Sequence, residues 1–425
     1  LRAFKFLHTA DLHLGTPFRG LPASIPEAFA AALKAAQRSV FKRIVDVAIE
    51  QQVDFVTIAG DLFDQSSVSM SVHFELLRGF ERLQECGIRV FVSHGNHDPQ
   101  VSPPPLPWPD NVFVFGTAPR VSSDPVASTH VDLGADTRVQ ISGFTYPSAD
   151  FSEAMAPRFQ RQADAQFAIG LYHGNVGSFA SHAAYCAATV DELARQNFDF
   201  WGLGHIHQPQ ILRDHSPTVV YPGNPQGRHI REDGWRGCVC VDVAASGAVQ
   251  LKWIPIAEVS WHEIVVNVDG AVDALAIRDA IHTAINDAIT GIPDARQRVM
   301  RLCVRGRTRA HGLMRASELQ ALISEECQMR GLPIWIEELA WQTKPEHNLD
   351  VLAESPTVIG EFLRLVRTYE DDLSTARLEL LPDLSAVFHA GNELALDHLT
   401  DEEVRTMLQD ALQQVLQYAF EEEAE

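Results

Sequence analysis

The chain has 425 residues, 46% of them hydrophobic, and a formal net charge of −22 at pH 7. That length carries more than one core, so a large domain with one or two smaller ones is expected. The acidic balance weighs against a free-standing nucleic-acid binder, because non-specific binding rests on neutralising phosphates, although a local basic or metal-bearing cleft overrides an average.

The first half alternates strand-like and helix-like segments. Phe4 to Leu7 is a short apolar strand, Glu27 to Gln51 has helical periodicity, and Val53 to Ala59 is a buried strand rich in β-branched residues. Met70 to Cys86 is helical, Gly87 stops it, and Ile88 to Val92 is the next strand. This βαβαβ order implies parallel strands covered by helices. A proline-rich connection over 99–125 follows, with a strand at Val112 to Phe115. Strands are expected at Arg138 to Ser142, Phe167 to Tyr172 and Phe198 to Gly202. Thr218 to Tyr221, Gly237 to Val243 and Val249 to Ile254 suggest a run of antiparallel pairing, and the mixture suits a two-sheet α/β sandwich flanked by helices.

The texture changes near Val259. Trp261 to Val268, Ala271 to Asp287, Gln297 to Val304, Ala316 to Met329 and Leu332 to Leu339 read as a small βαβαβ domain. After Lys344-Pro345 the pattern is helical. Ser355-Pro356 reads as a capped helix start, followed by the stripe Val358, Ile359, Phe362, Leu363, Val366 and Tyr369. Thr400 and Glu403 form a capping box before a helix with Val404, Met407, Leu408, Leu412, Val415 and Phe420 on one side, and the tail EEEAE is acidic. The expected domains are therefore 1–258, 259–345 and 346–425. No apolar run reaches the roughly 18 residues of a membrane span, and LRAFKFLHTA lacks the regions of a signal peptide, so a cytoplasmic protein without membrane partners is expected. The six cysteines form no CxxC pair; Cys238 and Cys240, at strand spacing, read as reduced core residues rather than zinc ligands.

The chemistry sits where strands end. Asp11 and His13 follow the first strand in HTADLH, Asp61 follows the second in GDLFD, and Asn96, His97 and Asp98 follow the third in GNHD. His173 follows the Phe167 strand in HGN, and His205 and His207 follow the Phe198 strand in GHIH. The carboxyl ends of strands are where α/β folds assemble sites, and packing alone asks for no such recurrence. Two aspartates, one asparagine and four histidines form an oxygen and nitrogen set suited to manganese, iron or zinc. Seven ligands exceed one ion and suffice for two if a carboxylate bridges. Two dications about 3.5–4 Å apart clamp a phosphoryl group for in-line attack, and a histidine beside them can protonate the leaving alkoxide.

These motifs, in this order, resemble the calcineurin-like metallophosphoesterases, and HTADLHLGTPFRGL is similar to the bacterial SbcD and YhaO type DNA repair exonucleases. The resemblance implies that Asp11, His13, Asp61 and His207 hold one ion and that Asp61, Asn96, His173 and His205 hold the other, most often manganese. It implies that His97 contacts the scissile phosphate and assists the leaving group, oriented by Asp98. The loop YPGNP at 221–225 matches a family loop, and Arg228, His229 and Arg231 after it are candidate contacts to substrate phosphate, with a solvated loop as the alternative. Asp64 stands where archaeal and eukaryotic relatives usually have histidine, so that histidine's role does not transfer. The resemblance further implies DNA as substrate, a small domain capping it, and C-terminal helices that bind an SMC-like ATPase subunit of the SbcC or YhaN type. Homodimers are usual in the family. Arg298, Arg301, Arg305, Arg307 and Arg309 are the candidate DNA face of the small domain. The rival readings are a phosphoesterase of nucleotides or other small phosphodiesters, and a non-catalytic scaffold for the ATPase.

Overall fold

The computed structural model describes the chain apart from residues 17–24, 65–68, 100–106, 117–124, 135–136, 178–184, 291–296, 312–314, 347–348, 389–399 and 422–425. Most of the proline-rich connection and of the acidic tail, and the Phe420 side chain, thus lie outside the described residues.

The first part runs β1 (Phe4–Thr9), α1 (Glu27–Glu50), β2 (Phe55–Ala59), α2 (Met70–Glu85), β3 (Arg89–Ser93) and β4 (Val112–Val114). It continues with β5 (Ala127–Asp132), β6 (Arg138–Gly143), β7 (Phe167–His173), α3 (Val190–Ala194), β8 (Phe200–Gly204), β9 (Gln210–Arg213), β10 (Thr218–Tyr221), β11 (Gly237–Val243) and β12 (Val249–Pro255). Two six-stranded sheets result, in the orders β12-β11-β1-β2-β3-β4 and β5-β6-β7-β8-β10-β9. In the first, β1 to β4 are parallel and β11 is antiparallel to both neighbours. In the second, β6, β7, β8 and β10 are parallel, with antiparallel β5 and β9 at the edges. The antiparallel run expected from Thr218 onward is therefore broken, because β10 returns beside β8 in parallel register.

Strand alternation builds the layers. Phe4, Phe6, Phe55 and Phe91 point between the sheets and meet Phe167, Phe200 and Val220, with the Phe6 ring 5.1 Å from both Phe55 and Phe200. The alternate residues Leu7, Val56, Ile58, Val90, Cys238 and Cys240 face Phe41, Ile44, Leu76 and Phe80 of α1 and α2. Both cysteines are reduced and buried, as read from their spacing. A third cluster around Tyr146, Phe159, Tyr172 and Trp201 covers the far side of the second sheet.

The next module is β13 (Val259–Asn267), α4 (Ala274–Thr290), β14 (Gln297–Thr308), α5 (Ala316–Met329) and β15 (Ile334–Pro345), a three-stranded sheet in that strand order. Ile277, Ile281 and Ile285 of α4 and Leu319, Ile323 and Cys327 of α5 are buried at the four-residue spacing of a helix stripe. Trp261 and Val299 pack against Leu33 and Ala36 of α1. Of the five arginines expected to form a DNA face, Arg298 is buried, Arg301 pairs with Glu337 and Glu338 at 3.2 and 3.0 Å, and Arg309 pairs with Glu346 at 3.5 Å. These three do not present free charge to a polyanion.

The chain divides into two compact units. One comprises Leu1–Val268, Ala274–Gly306 and Met314–Gln342; the other comprises Asp269–Asp273, Arg307–Leu313 and Thr343–Glu425. The second holds α6 (Leu349–Glu354), α7 (Val358–Asp371), α8 (Leu373–Phe388) and α9 (Asp401–Glu421) around Val366, Tyr369, Leu373, Ala376, Val404 and Leu408. Thr400 and Glu403 cap α9 reciprocally. The cap of α7 is Thr357, whose Oγ1 accepts from Gly360 N at 3.1 Å, rather than Ser355. Ser355 Oγ instead donates to Leu352 O at 2.7 Å and closes α6.

Candidate metal centre

The loops after β1 and β2 run on together beyond the strands. Asp11 N donates to Gly60 O at 3.1 Å, His13 N to Asp61 O at 3.0 Å and Leu14 N to Leu62 O at 3.0 Å. Asp11, His13 and Asp61 are all left-handed there, with φ of 53°, 44° and 51°. His205, after β8, has φ 95°, and its N–H donates to Asp11 Oδ1 at 2.8 Å. His97 N donates to Asp61 Oδ1 at 3.0 Å, so the loops after β1, β2, β3 and β8 are bound to one another. The approach is close enough that a Cβ on Gly95 would fall 2.3 Å from Asp61 Oδ1 and 2.5 Å from His173 Nε2.

Within this pocket three groups have ligand atoms lying within 4.8 Å of one another: Asp11, His13 and His207; Asp11, Asp61 and His173; and His13, Asp64 and His97. The two oxygens of Asp61 face opposite ways, Oδ2 lying 3.6 Å from His13 Nε2 and Oδ1 3.5 Å from His173 Nε2. Asn96 Oδ1 lies 3.1 Å from His173 Nε2 and 3.2 Å from His205 Nδ1. All seven residues read from the sequence as ligands thus converge.

The donor set fits divalent cations. His13 Nδ1 donates to Asp64 Oδ1 at 3.1 Å and His207 Nδ1 to Glu232 Oε1 at 2.6 Å, assignments that leave both Nε2 atoms with a lone pair. Those Nε2 atoms stand 3.2 Å apart. Two lone pairs at that distance repel unless a cation or proton joins them. His173 Nδ1 donates to Ala59 O at 2.9 Å, which turns its Nε2 toward Asn96 Oδ1. Asp11 Oδ2 is buried without a hydrogen-bond partner, a condition that costs about 1–3 kcal/mol when nothing else binds the atom.

Burial pushes the Asp11 carboxyl up to about 6, against the pull of His207 and His173. Burial would raise Asp61 too, but the imidazoles of His173, His13 and His97 hold it well below the carboxylate range. Burial would lower His173, yet the Asp61 and Asp11 carboxylates raise it to about 9. At Asp64, hydrogen bonds from His13, His97 and Thr16 overcome burial and keep the group ionised. His97 is raised chiefly by its bond to Asp64, against burial.

Residues 4–209 match the family model of calcineurin-like phosphoesterases. The chain carries a calcineurin-like metallophosphoesterase domain. Residues 261–344 match the middle domain of the metallophosphoesterase YhaO. The chain is 37% identical to metallophosphoesterase YhaO of Bacillus subtilis over 65% of its own length and 66% of the relative's. It is 29% identical to the DNA double-strand break repair protein Mre11 of Archaeoglobus fulgidus over 54% of itself and 51% of that protein, and 27% identical to Mre11 of Aeropyrum pernix over 52% and 53%. The chain spans about half to two thirds of the length of these relatives.

Around the candidate centre, one expected assignment changes. Asp98 does not orient His97. Its oxygens accept from Gly95 N and Leu62 N, both at 2.7 Å, and from His94 Nδ1 at 3.0 Å, so it braces the loop after β3. The carboxylate on His97 is Asp64, whose Oδ1 lies 2.7 Å from His97 Nδ1 while also accepting from His13. Asp64 therefore joins a candidate ligand to the exposed histidine. Arg228 is half-buried at the rim, 3.3 Å from His207 Nδ1 and 3.5 Å from Glu232, and His229 Nε2 is 3.5 Å from Glu232, whereas Arg231 is exposed. The sequence reading missed Glu232 altogether, although it accepts from His207 Nδ1, Asn224 Nδ2 and Arg228 N. It is one acidic residue in a charged loop, 25 positions from the imidazole it holds, and no local spacing marks it.

Proposed function

We propose that this phosphoesterase is a nuclease that hydrolyses phosphodiester bonds in DNA with two divalent ions, manganese foremost, in DNA repair. Asp11, His13, Asp61 and His207 hold one ion, and Asp61, Asn96, His173 and His205 hold the other. The observation that carries the reading is the pair of opposed Nε2 lone pairs on His13 and His207, 3.2 Å apart, beside a carboxylate whose two oxygens face both halves of the pocket. Bound there, the ions supply Lewis-acid stabilisation of the scissile phosphate and a nucleophilic water at neutral pH. The chain's own residues do the rest. Asp64 accepts from His97 Nδ1 and favours the imidazolium, whose remaining proton on Nε2 is the one given to the leaving alkoxide. Alone among these residues His97 is exposed, with 46% of its side chain open to an arriving phosphate, while those of His13 and His173 are fully buried. Arg228 at the rim offers a fork to the same phosphate.

The substrate class is supported by the relatives named as DNA double-strand break repair proteins. Residues 1–258 form the nuclease domain, 259–345 the cap over DNA, and 346–425 the docking element for an SMC-like ATPase subunit, in a protein that also pairs with its own copy. Val351, Val358, Leu365, Leu378 and Met407, all exposed in the helical unit, support a partner there.

Digestion of end-labelled linear duplex DNA with manganese, beside hydrolysis of bis(p-nitrophenyl) phosphate, tests the reading. DNA is expected to be degraded, Asp61→Ala to be inactive, and His97→Asn to lose cleavage while holding two ions. Rapid turnover of the small diester with intact DNA would place the chain among small-molecule phosphoesterases. Inertness toward both in the metal-loaded protein would leave a scaffold.

A further inference from the structure

The outer helical layer of the phosphoesterase domain carries a feature that the metal centre does not use. Between α1 and α2 lies a groove of about 700 Å³. Five cations line it: Lys34, Arg38 and Lys42 from α1, and Arg78 and Arg82 from α2. Two carboxylates answer them. Glu75 lies in the groove, and Asp46 pairs with Arg82 at 2.8 Å and Lys42 at 3.9 Å, so five positive groups against two negative ones leave an excess of three. Lys34, Arg38 and Arg78 are exposed and have no ion-pair partner within 4.0 Å among the described residues. On a chain of net charge −22 such a local excess is not a property of the average surface.

We propose that this groove is a second binding site for the DNA backbone, separate from the metal centre. The inference rests on the nuclease reading. Lys34, Arg38 and Lys42 stand four residues apart, about 6 Å per step along the helix, and Arg78 and Arg82 repeat that spacing on α2. A row of evenly spaced cations suits a repeating anion rather than a single one. The floor is Ala31, Ala35 and Gly79, with Phe41 beneath. A Cβ on Gly79 would fall 2.3 Å from the Phe41 ring, so α2 lies directly on that ring and no long side chain fills the trough. Phe41 is only 2% exposed and offers no face for base stacking, so the groove reads phosphates and not sequence. The arginines of the middle module, by contrast, are largely spent on Glu337, Glu338 and Glu346 or buried.

The test is a Lys34→Gln/Arg38→Gln/Arg78→Gln triple variant, whose substitutions keep helix propensity and touch no residue of the metal centre. Binding of a fluorescein-labelled 30-base-pair duplex is followed by anisotropy across a salt series. Hydrolysis of bis(p-nitrophenyl) phosphate, metal content and melting temperature are measured alongside. The variant is expected to bind DNA at least tenfold more weakly near 0.1 M salt, with a log–log salt slope shallower by about 2–3, close to one per lost phosphate contact. Its small-substrate turnover and melting temperature should match the parent. Equal affinity and equal slope would overturn the proposal and leave the groove to an acidic polypeptide. A parent protein that turns over the small diester but neither binds nor cuts DNA would instead overturn the nuclease reading, and this inference with it.

Discussion

Glu232→Ala should remove one ion from the centre and leave the other. The carboxylate is 4% exposed and accepts from His207 Nδ1 at 2.6 Å, Arg228 N at 2.7 Å and Asn224 Nδ2 at 2.8 Å. Burial would raise its pKa, but the hydrogen bond and charge of His207, with the charge of Arg228, hold it well below the carboxylate range. Truncation strands three donors. At about 1–3 kcal/mol each, less where water reaches half-buried Arg228, the folded state loses about 3 kcal/mol. The larger effect is local. His207 loses the partner that fixes its tautomer and ring plane, a change worth roughly 10–100-fold in metal affinity. His173, Asn96 and Asp61 on the other side have no bond to Glu232, so the second ion should stay. Metal analysis after gel filtration should fall from two ions per chain to one, and titration calorimetry with manganese should show one weakened site. Glu232→Gln keeps the shape and an acceptor, so it should recover most of the melting temperature but only part of the affinity. Two ions held at parental affinity in Glu232→Ala, or both lost together, would refute the assignment of His207 to one half of the centre.

Gly95→Ala should weaken manganese binding at least tenfold, because the added methyl collides with Asp61 Oδ1 and His173 Nε2; calorimetry checks it. Dialysis against a chelator should lower the melting temperature and manganese should restore it, since each site filled at 100 times its Kd adds about 2.7 kcal/mol. The third prediction concerns His8, which lies between the sheets on Thr57 Oγ1 and Leu203 O, where burial lowers its imidazole to about 4. The unfolded chain takes up that proton first as pH falls through 6.5. Stability from His8 is therefore complete above about 6.5 and is lost on the way down to about 4, by about 3 kcal/mol in all. His8→Gln should flatten the decline of the urea unfolding free energy between pH 7 and 4.5, and an unchanged slope would count against it.

The strand ends were legible because each carries two signals at once. VDFVTIA and RVFVS are apolar runs buried on both faces, and the glycine and ligand residues after them break the run sharply. What stayed hidden has a physical cause in each case. Strand β5, ASTHVD, lies at a sheet edge with one buried residue, so it has no apolar pattern to read. Strand β9, QILR, likewise depends on pairing with β10 rather than on its own side chains. Thr357 outcompetes Ser355 as a cap through a three-dimensional choice of hydrogen-bond partner, since both residues are sound caps by type. Asp98 and Asp64 are the same residue type at the ends of neighbouring motifs. Which one reaches His97 depends on how the loops after β2 and β3 pass each other, and adjacency in sequence pointed to the wrong one.

The backbone of the centre explains why these residue types recur there. Asp11, His13, Asp61 and His205 occupy left-handed conformations that cost about 1–3 kcal/mol apiece. Aspartate and histidine enter that region more readily than most residues with a side chain, and they are also hard-oxygen and imidazole ligands. One choice of residue therefore satisfies the turn and the ion together. The strain persists because the loops are bound on each side, by Asp11 N to Gly60 O, His13 N to Asp61 O and His205 N to the Asp11 carboxylate. Those bonds in turn hold only while β1, β2 and β8 are fixed by the Phe6, Phe55 and Phe200 cluster beneath them. The aromatic layer is thus the element that keeps four strained candidate ligand positions aimed at one point.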